Sequence, residues 1–344
     1  MAIDATLELV SISSGPVLGK TQALSTSLFG FEGGTCWKVE GKYRLFTTEV
    51  FDVPKTAATR LALWESEDGF TFDRVSTLVE TNYDWHDTTH NMSPWAPMSV
   101  YDEETQRWNI FYVGYRRKAG SDQFFNMAGK IKRLESSVSG WAGVSGPYQD
   151  AGWIEFTDTA AAWEGSAGQV GFFPFRSTDG LVAFFAANDA TAVIDSALPA
   201  YEQVDQGIAF RVGLASSESI QGPWTRLESR NPVLMDPHFV ENPVVSRIDD
   251  DLFIAVFDAG NHRAMSYSFS RDGLTWDEAR RMSLESAPAN LAVSRTPLGL
   301  IHQGDDLFTL FITAFDGVNP DSVEPLWHDG YGEVWRCEVR LSRL

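Results

Sequence analysis

One turn motif occurs twice in this chain. Ser66-Glu67-Asp68-Gly69-Phe70-Thr71-Phe72 and Ser270-Arg271-Asp272-Gly273-Leu274-Thr275-Trp276 both read Ser-x-Asp-Gly-x-Thr-aromatic. Each follows a short apolar run of strand-like composition, 60–65 and 265–269. A segment that recurs at this distance marks a repeated unit of architecture, which has to be recognised before anything else is assigned. Asp-Gly predicts a tight hairpin turn between two strands, and the aromatic residue anchors the strand that follows. Two further units replace the motif with Gly-Pro-aromatic: 129–136 leads into Gly146-Pro147-Tyr148, and 212–216 leads into Gly222-Pro223-Trp224. A fifth is the C-terminal run 333–339.

Ahead of each unit lies a pair of strands joined by a polar turn. The pairs are 35–39 with 43–47, 96–101 with 108–112, 170–175 with 181–186, 244–248 with 252–257, and 298–302 with 307–313. Each unit therefore reads as inner, middle, third and outer strand. Five units, starting near residues 30, 92, 163, 240 and 294, cover nearly the whole chain. No long 3.6-residue period with caps occurs; at most one turn of helix fits 160–164. The expected fold is all-β, a single five-bladed β-propeller domain spanning 1–344. A pair of β-sandwiches is the alternative, while a β-helix needs shorter, more regular repeats. The strand-like segment 7–12 precedes the first unit, and pairing it with the last blade would close the ring and remove an exposed edge.

Composition narrows the function. At 344 residues and 43% hydrophobic content the chain can bury a large core. A net charge of −20 argues against a nucleic-acid backbone and against anionic membranes as partners. It suits a neutral substrate and a well-dispersed protein. No stretch approaches the roughly 18 apolar residues of a membrane-spanning helix. Residues 1–19 lack a basic segment followed by an apolar core, so no signal peptide is read there. The chain is expected to be cytoplasmic as it stands, or exported with a leader removed. Cys36 and Cys337 are too few for a disulfide framework or a zinc site. Two buried free thiols are expected, with one bridge between the first and last units left open. No phosphate-binding Gly-rich loop and no Gly-x-Ser-x-Gly elbow is present.

In a propeller the inner strands line a central channel, and ligand sites form where their starts meet. The residue before each inner strand is therefore the one to inspect. Three of five units place a glutamate there: Phe31-Glu32-Gly33-Gly34, Trp163-Glu164-Gly165 and Glu241-Asn242-Pro243. Carboxylates converging on an aromatic cleft are costly unless they perform work, and glycoside cleavage uses such a set. One carboxylic acid protonates the leaving oxygen, a carboxylate activates water or attacks the sugar, and a third raises the acid's pKa by like-charge repulsion. The alternative is that each glutamate is a loop carboxylate held by backbone N–H groups. Asp87 and His90, in the polar aromatic loop before the second unit, are candidates to bind sugar hydroxyls. His86 and His90 would need a helix to form a metal pair, so no metal site is assigned. Arg295 is a candidate partner of substrate or of a site carboxylate. Trp95, Trp163 and Trp327 are candidates to stack on sugar rings.

These motifs, in this order, resemble the glycoside hydrolases of family 43 and their five-bladed relatives in families 32, 62, 68 and 117. Trp95-Ala96-Pro97 resembles that family's Trp-Ala-Pro on the second blade. Glu241-Asn242-Pro243 resembles its Glu-Gly-Pro on the fourth, where the glutamate is the general acid. Ala259-Gly260-Asn261-His262 resembles the Gly-rich segment that follows, with a histidine near the site. The family has aspartates where Glu32 and Glu164 stand, so this chain departs from it by one methylene at each.

The resemblance implies a glycoside hydrolase. Glu241 would be general acid, Glu32 general base and Glu164 the group that tunes the acid. Trp95, Asp87, His90, Trp163, His262 and Arg295 would contact substrate. The implied substrate is an arabinose-, xylose- or fructose-containing glycan cleaved at a furanoside or pentose-type bond. No cofactor is expected; some relatives hold a channel calcium ion, but no ligand set for one is visible in the sequence. No protein partner is evident. A sugar-binding propeller without catalysis, a phosphorylase or transferase on the same fold, and a protein-binding scaffold are the competing readings.

Overall fold

The computed structural model describes residues 3–22, 28–51, 59–82, 93–116, 129–165, 168–189, 209–233, 235–236, 240–259, 264–282, 294–314 and 332–343. Within them the chain forms five four-stranded antiparallel sheets. The N-terminal strand β1 (Ala5–Ile12) is set aside for the last blade. Blade 1 is β2 (Leu28–Val39), β3 (Lys42–Phe51), β4 (Thr59–Ser66) and β5 (Asp73–Glu80). Blade 2 is β6 (Ser93–Asp102), β7 (Arg107–Tyr115), β8 (Lys130–Ser136) and β9 (Tyr148–Trp153). Blade 3 is β10 (Gln169–Ser177), β11 (Gly180–Asp189), β12 (Ala209–Ser216) and β13 (Thr225–Arg226). Blade 4 is β14 (Val240–Asp249), β15 (Leu252–Ala259), β16 (Ala264–Ser270) and β17 (Arg280–Arg281). Blade 5 is β18 (Ser294–Gly304), β19 (Leu307–Ala314) and β20 (Glu333–Arg343), with β1 antiparallel to β20 as its fourth strand.

The first strands of successive blades, β2, β6, β10, β14 and β18, touch one another in a closed cycle, so they surround the axis of a five-bladed propeller. β1 closes the ring as the sequence predicts, with Leu7 opposite Leu341 and Leu9 opposite Val339. Hydrogen bonds fasten the seams. Thr35 and Ser99 hydroxyls lie 2.5 Å apart between blades 1 and 2, and Trp37 Nε1–H donates to the Ser99 carbonyl at 3.0 Å. Ser246 donates to the Leu300 carbonyl at 2.5 Å between blades 4 and 5. Between the sheets lie buried aromatic side chains: Phe111 against Phe172 between blades 2 and 3, and Phe72 against Phe311 between blades 1 and 5. Fully burying one such ring contributes about 1.5–3 kcal/mol. No helix among the described residues is long and apolar enough to cross a membrane.

The repeated turn motif works differently from a two-residue hairpin. Asp68 sits in a longer loop and folds it, its Oδ1 accepting the N–H groups of Phe70 at 2.8 Å and Thr71 at 3.2 Å. Ser66 Oγ accepts the N–H of Gly69 at 2.8 Å. Asp272 and Ser270 repeat these bonds to Leu274, Thr275 and Gly273. Gly69 and Gly273 stand at φ +77° and +76°, a conformation glycine adopts without steric cost. The backbone bonds, that from Phe70 foremost, hold the Asp68 carboxyl below its usual range. Cys36 and Cys337 are free and buried, in β2 and β20.

Candidate active site

The inner strands start earlier than their apolar cores suggest. Glu32 and Glu241 therefore lie inside β2 and β14, at interruptions of the ladder. In β2 the register shifts between Glu32 and Gly34, and in β14 between Glu241 and Val244. β6 shifts between Trp95 and Met98. The residue after each glutamate, and after Trp95, is left-handed: Gly33 at φ +59°, Ala96 at +48° and Asn242 at +51°. Glu32, Trp95 and Glu241 thus occupy one structural position on three blades. The bulge re-aims the preceding side chain, a common device beside functional sites. Asparagine tolerates left-handed backbone better than most residues, which accounts for Asn242 at a position of this kind. At Gly33 no other residue fits, since a Cβ there would stand 2.9 Å from the Cβ of Ala96.

Glu32 and Glu241 are 1% and 7% exposed. Beside them stand residues that the sequence reading did not assign. Thr296, on β18, donates its hydroxyl to Glu32 Oε1 at 2.8 Å. The Asn242 amide, next in chain to Glu241, lies 3.5 Å from Thr296 Oγ1 and donates to Asp258 Oδ2 at 3.1 Å. Asp258, on β15, is 1% exposed and stands directly opposite Glu241 in the β14–β15 ladder. Thr296 and Asn242 thereby link Glu32 on blade 1 to Asp258 on blade 4. The seam between blades 1 and 2 is fixed beside them, where the Ala96 N–H donates to Thr48 Oγ1 at 2.9 Å.

Glu164 departs from the expectation of three equivalent glutamates. It ends a short 3-10 turn (Ala162–Glu164) ahead of β10 rather than occupying a bulge within it. Both its oxygens are held by Arg226, from Nε at 2.7 Å and Nη2 at 2.8 Å. Arg226 also bonds Asp158 at 2.8 Å and lies 4.1 Å from the Phe156 ring. The Ala161 N–H donates to Glu164 Oε1 at 2.9 Å, tying the turn. A carboxylate gripped bidentately by an arginine is committed to that pair. The same holds for Glu49, fully buried on β3 between Arg60 and Arg74.

Trp95 is 4% exposed and packs in the main core, and Trp163 lies against Phe185 with ring centroids 5.6 Å apart. Trp163 fits there because position 213 is glycine; a Cβ would come within 2.9 Å of its ring. Trp95 is thus buried in the core and Trp163 partly buried against it. Asp87, His90, His262 and Trp327 lie outside the described residues, as does the side chain of Arg295, whose backbone is in β18. Among the described residues no cluster of three or more His, Cys, Asp or Glu is arranged to hold a metal ion, so no calcium site is assigned. Further along the channel a cavity of about 180 Å³ is lined by Thr35, Phe173, Val244, Ser246, Gly299 and Leu300, among others.

No family model and no curated protein matches the chain. Solved structures do. A family 117 glycoside hydrolase from the marine bacterium Zobellia galactanivorans aligns at a TM-score of 0.61 and 14% identity, over 98% of this chain and 91% of that one. An α-L-arabinofuranosidase from Lactobacillus brevis aligns at 0.54 and 13%, over 90% and 91%. A GH43 β-xylosidase/α-arabinofuranosidase from a compost microbial metagenome, in complex with xylotriose, aligns at 0.53 and 11%, over 98% and 95%. At these identities the likeness establishes the fold: the chain is a five-bladed β-propeller of the kind these glycoside hydrolases share.

Proposed function

We propose that the protein hydrolyses a glycosidic bond of furanoside or pentose type in an arabinose-, xylose- or fructose-containing glycan. The observation that carries this reading is the placement of Glu32 and Glu241. Both are buried, both precede a left-handed bulge residue on an inner strand, and Thr296 links Glu32 to Asn242, the residue after Glu241. Hydrolysis needs two carboxyl groups in opposite protonation states across the scissile bond. Glu241 is the general acid that protonates the leaving oxygen. Glu32, oriented by the Thr296 hydroxyl, is the base that activates water. The acidic surface suits a neutral sugar, and the names of the neighbours cited above support the substrate class. Glu164 is left to its pair with Arg226.

The test is a screen of aryl-arabinofuranosides, aryl-xylosides, fructosides and plant or microbial polysaccharides, read by released reducing sugar. Cleavage of at least one, abolished by Glu241→Gln, supports the reading. Binding of a glycan without turnover would replace it with a lectin-like role.

A further inference from the structure

We propose that Trp141, on the face of the ring away from Glu32 and Glu241, is the platform of a second carbohydrate site, which takes a pyranose unit of a polysaccharide chain on its open indole face. The choice of a glycan rests on the glycosidase reading above; the geometry of the platform does not. Glu32, Trp95 and Glu241 stand near the starts of inner strands. Tyr101 is near the other end of β6, roughly 20 Å along the strand from Trp95. Trp108 is its partner on β7, and β8 ends beside them, with Glu135 opposite Asn109. A short 3-10 turn (Trp141–Ser145) follows β8, so Trp141 belongs to the rear face. It is 46% exposed, the one exposed tryptophan among the described residues.

The stacking fixes which face of the indole is open. Trp141 lies on Tyr101 with ring centroids 4.0 Å apart and planes 22° from parallel. Trp108 stands 5.5 Å from Tyr101 and 5.6 Å from Trp141, so it sits beside the stacked pair rather than on top of it. The face of Trp141 turned away from Tyr101 is thereby left to solvent. The ring is also held in place. Trp108 Nε1–H donates to the Trp141 carbonyl at 3.0 Å, the Gly140 N–H to the Gln106 carbonyl at 2.7 Å, and the Ser136 hydroxyl to the Gly143 carbonyl at 2.8 Å. A platform already fixed loses little freedom on binding. An indole face is electron-rich and attracts weakly positive C–H groups, and a pyranose offers a C–H face with hydroxyls at its rim.

A groove of about 920 Å³ opens on the same rear face, lined by Thr157, Arg176, Ser217, Ser219, Thr225 and Arg230, among others. Its hydroxyls and guanidinium donors match sugar hydroxyls, and its size is that of a ligand pocket. Arg176 ties it to the platform. It donates to Glu104 at 2.7 Å, in the turn 102–107 whose Gln106 holds Gly140. A chain seated on Trp141 therefore has a polar track to follow. A protein partner is the poorer fit, since a stable interface needs about 800 Å² from each side. On this loop only Val138, 41% exposed, adds apolar surface to Trp141.

The experiment is electrophoresis of the native protein and Trp141→Ala in non-denaturing gels containing soluble xylan, arabinoxylan or galactan. Both are also run with Glu241→Gln added, so that digestion of the polysaccharide does not weaken the signal. We expect at least one polysaccharide to retard the native protein, and Trp141→Ala to bind it roughly tenfold or more weakly. Trp141→Tyr keeps an aromatic face and should recover part of the binding. On a small aryl-glycoside kcat/KM of Trp141→Ala should equal the native value. No retardation of the native protein by any of the three, or equal retardation of folded Trp141→Ala, overturns the inference. So does a native protein that sediments as a dimer and becomes a monomer in Trp141→Ala, which makes the face an interface between copies. Should Trp141→Ala fail to fold, Trp141→Leu, which keeps bulk without an aromatic face, decides in its place. Retardation that depends on Trp141 in a protein that cleaves no glycan would keep the site and sink the hydrolase reading; cleavage without such retardation would do the reverse.

Discussion

Thr296 donates its hydroxyl to Glu32 at 2.8 Å across the seam between the last blade and the first. The bond ties ring closure to the site, because Thr296 is on β18 and Glu32 on β2. Thr296 is fully buried, so its donor has no access to solvent. Thr296→Val is nearly isosteric and removes only the donor. A hydrogen bond to a charged group contributes about 1.5–3 kcal/mol, so kcat/KM should fall roughly tenfold to a hundredfold. Steady-state kinetics on the best substrate from the screen, with Tm measured alongside, checks this.

Arg226→Ala should destabilise without targeting chemistry. Its guanidinium is buried between Glu164 and Asp158, and removing it leaves Glu164 charged in the interior. Breaking a buried pair from one side costs about 3–5 kcal/mol. Denaturant unfolding should show a loss of that order. Replacing both partners with apolar residues of similar size, Glu164→Leu with Arg226→Met, should recover much of it.

The contact between Gly33 and Ala96 sets the bulges of blades 1 and 2 against each other. Gly33→Ala puts a side chain at φ +59° and 2.9 Å from the Ala96 Cβ. The left-handed conformation alone costs about 1–2 kcal/mol. Gly33→Ala with Ala96→Gly should lose less stability than Gly33→Ala alone, because the second change removes the opposing Cβ. A double-mutant cycle of unfolding free energies measures that coupling.

The two thiols should be silent in the native protein. Burial pushes both up, Cys337 to about 12 and Cys36 further. A thiol reagent at pH 8 should label neither until denaturant is added, and then both. An unfolded thiol ionises near 8.5, so above that pH the unfolded chain gives up protons that the folded one keeps. The stabilising contribution of these groups is therefore full below about 8.5 and declines as pH rises toward 12. Unfolding midpoints across pH 8 to 11 should show the decline, and Cys337→Ser should reduce it.

The ring was legible in the sequence because every blade repeats the same strand–turn–strand chemistry. Ser66 and Ser270, with Asp68 and Asp272, make the same hydrogen bonds in two blades, and local chemistry of that kind survives in the order of residues. Glu32 and Glu241 were singled out because each stands near the start of an inner strand beside Gly or Pro, and the structure places each before a left-handed residue at a bulge. Glu164 also precedes a glycine, but Gly165 ends a 3-10 turn instead of forming a strand bulge. Its partner Arg226 arrives from β13, far along the chain, and nothing local announces it. Asp258 carried a signal that went unread. It is the one charged residue in Leu252–Ala259, a strand buried along its whole length. Thr296 became meaningful only when the ring closed, because its partner Glu32 is on the first blade.

The most direct measurement of the central claim is kcat/KM for Glu241→Gln and Glu32→Gln, each shown to be folded, on the glycan the native protein cleaves fastest. A positioned general acid or base contributes about 10²–10⁴ in rate. Each substitution should therefore lower kcat/KM by at least a hundredfold, with Glu241→Gln losing most on substrates with poor leaving groups. Full activity in both variants would contradict the account.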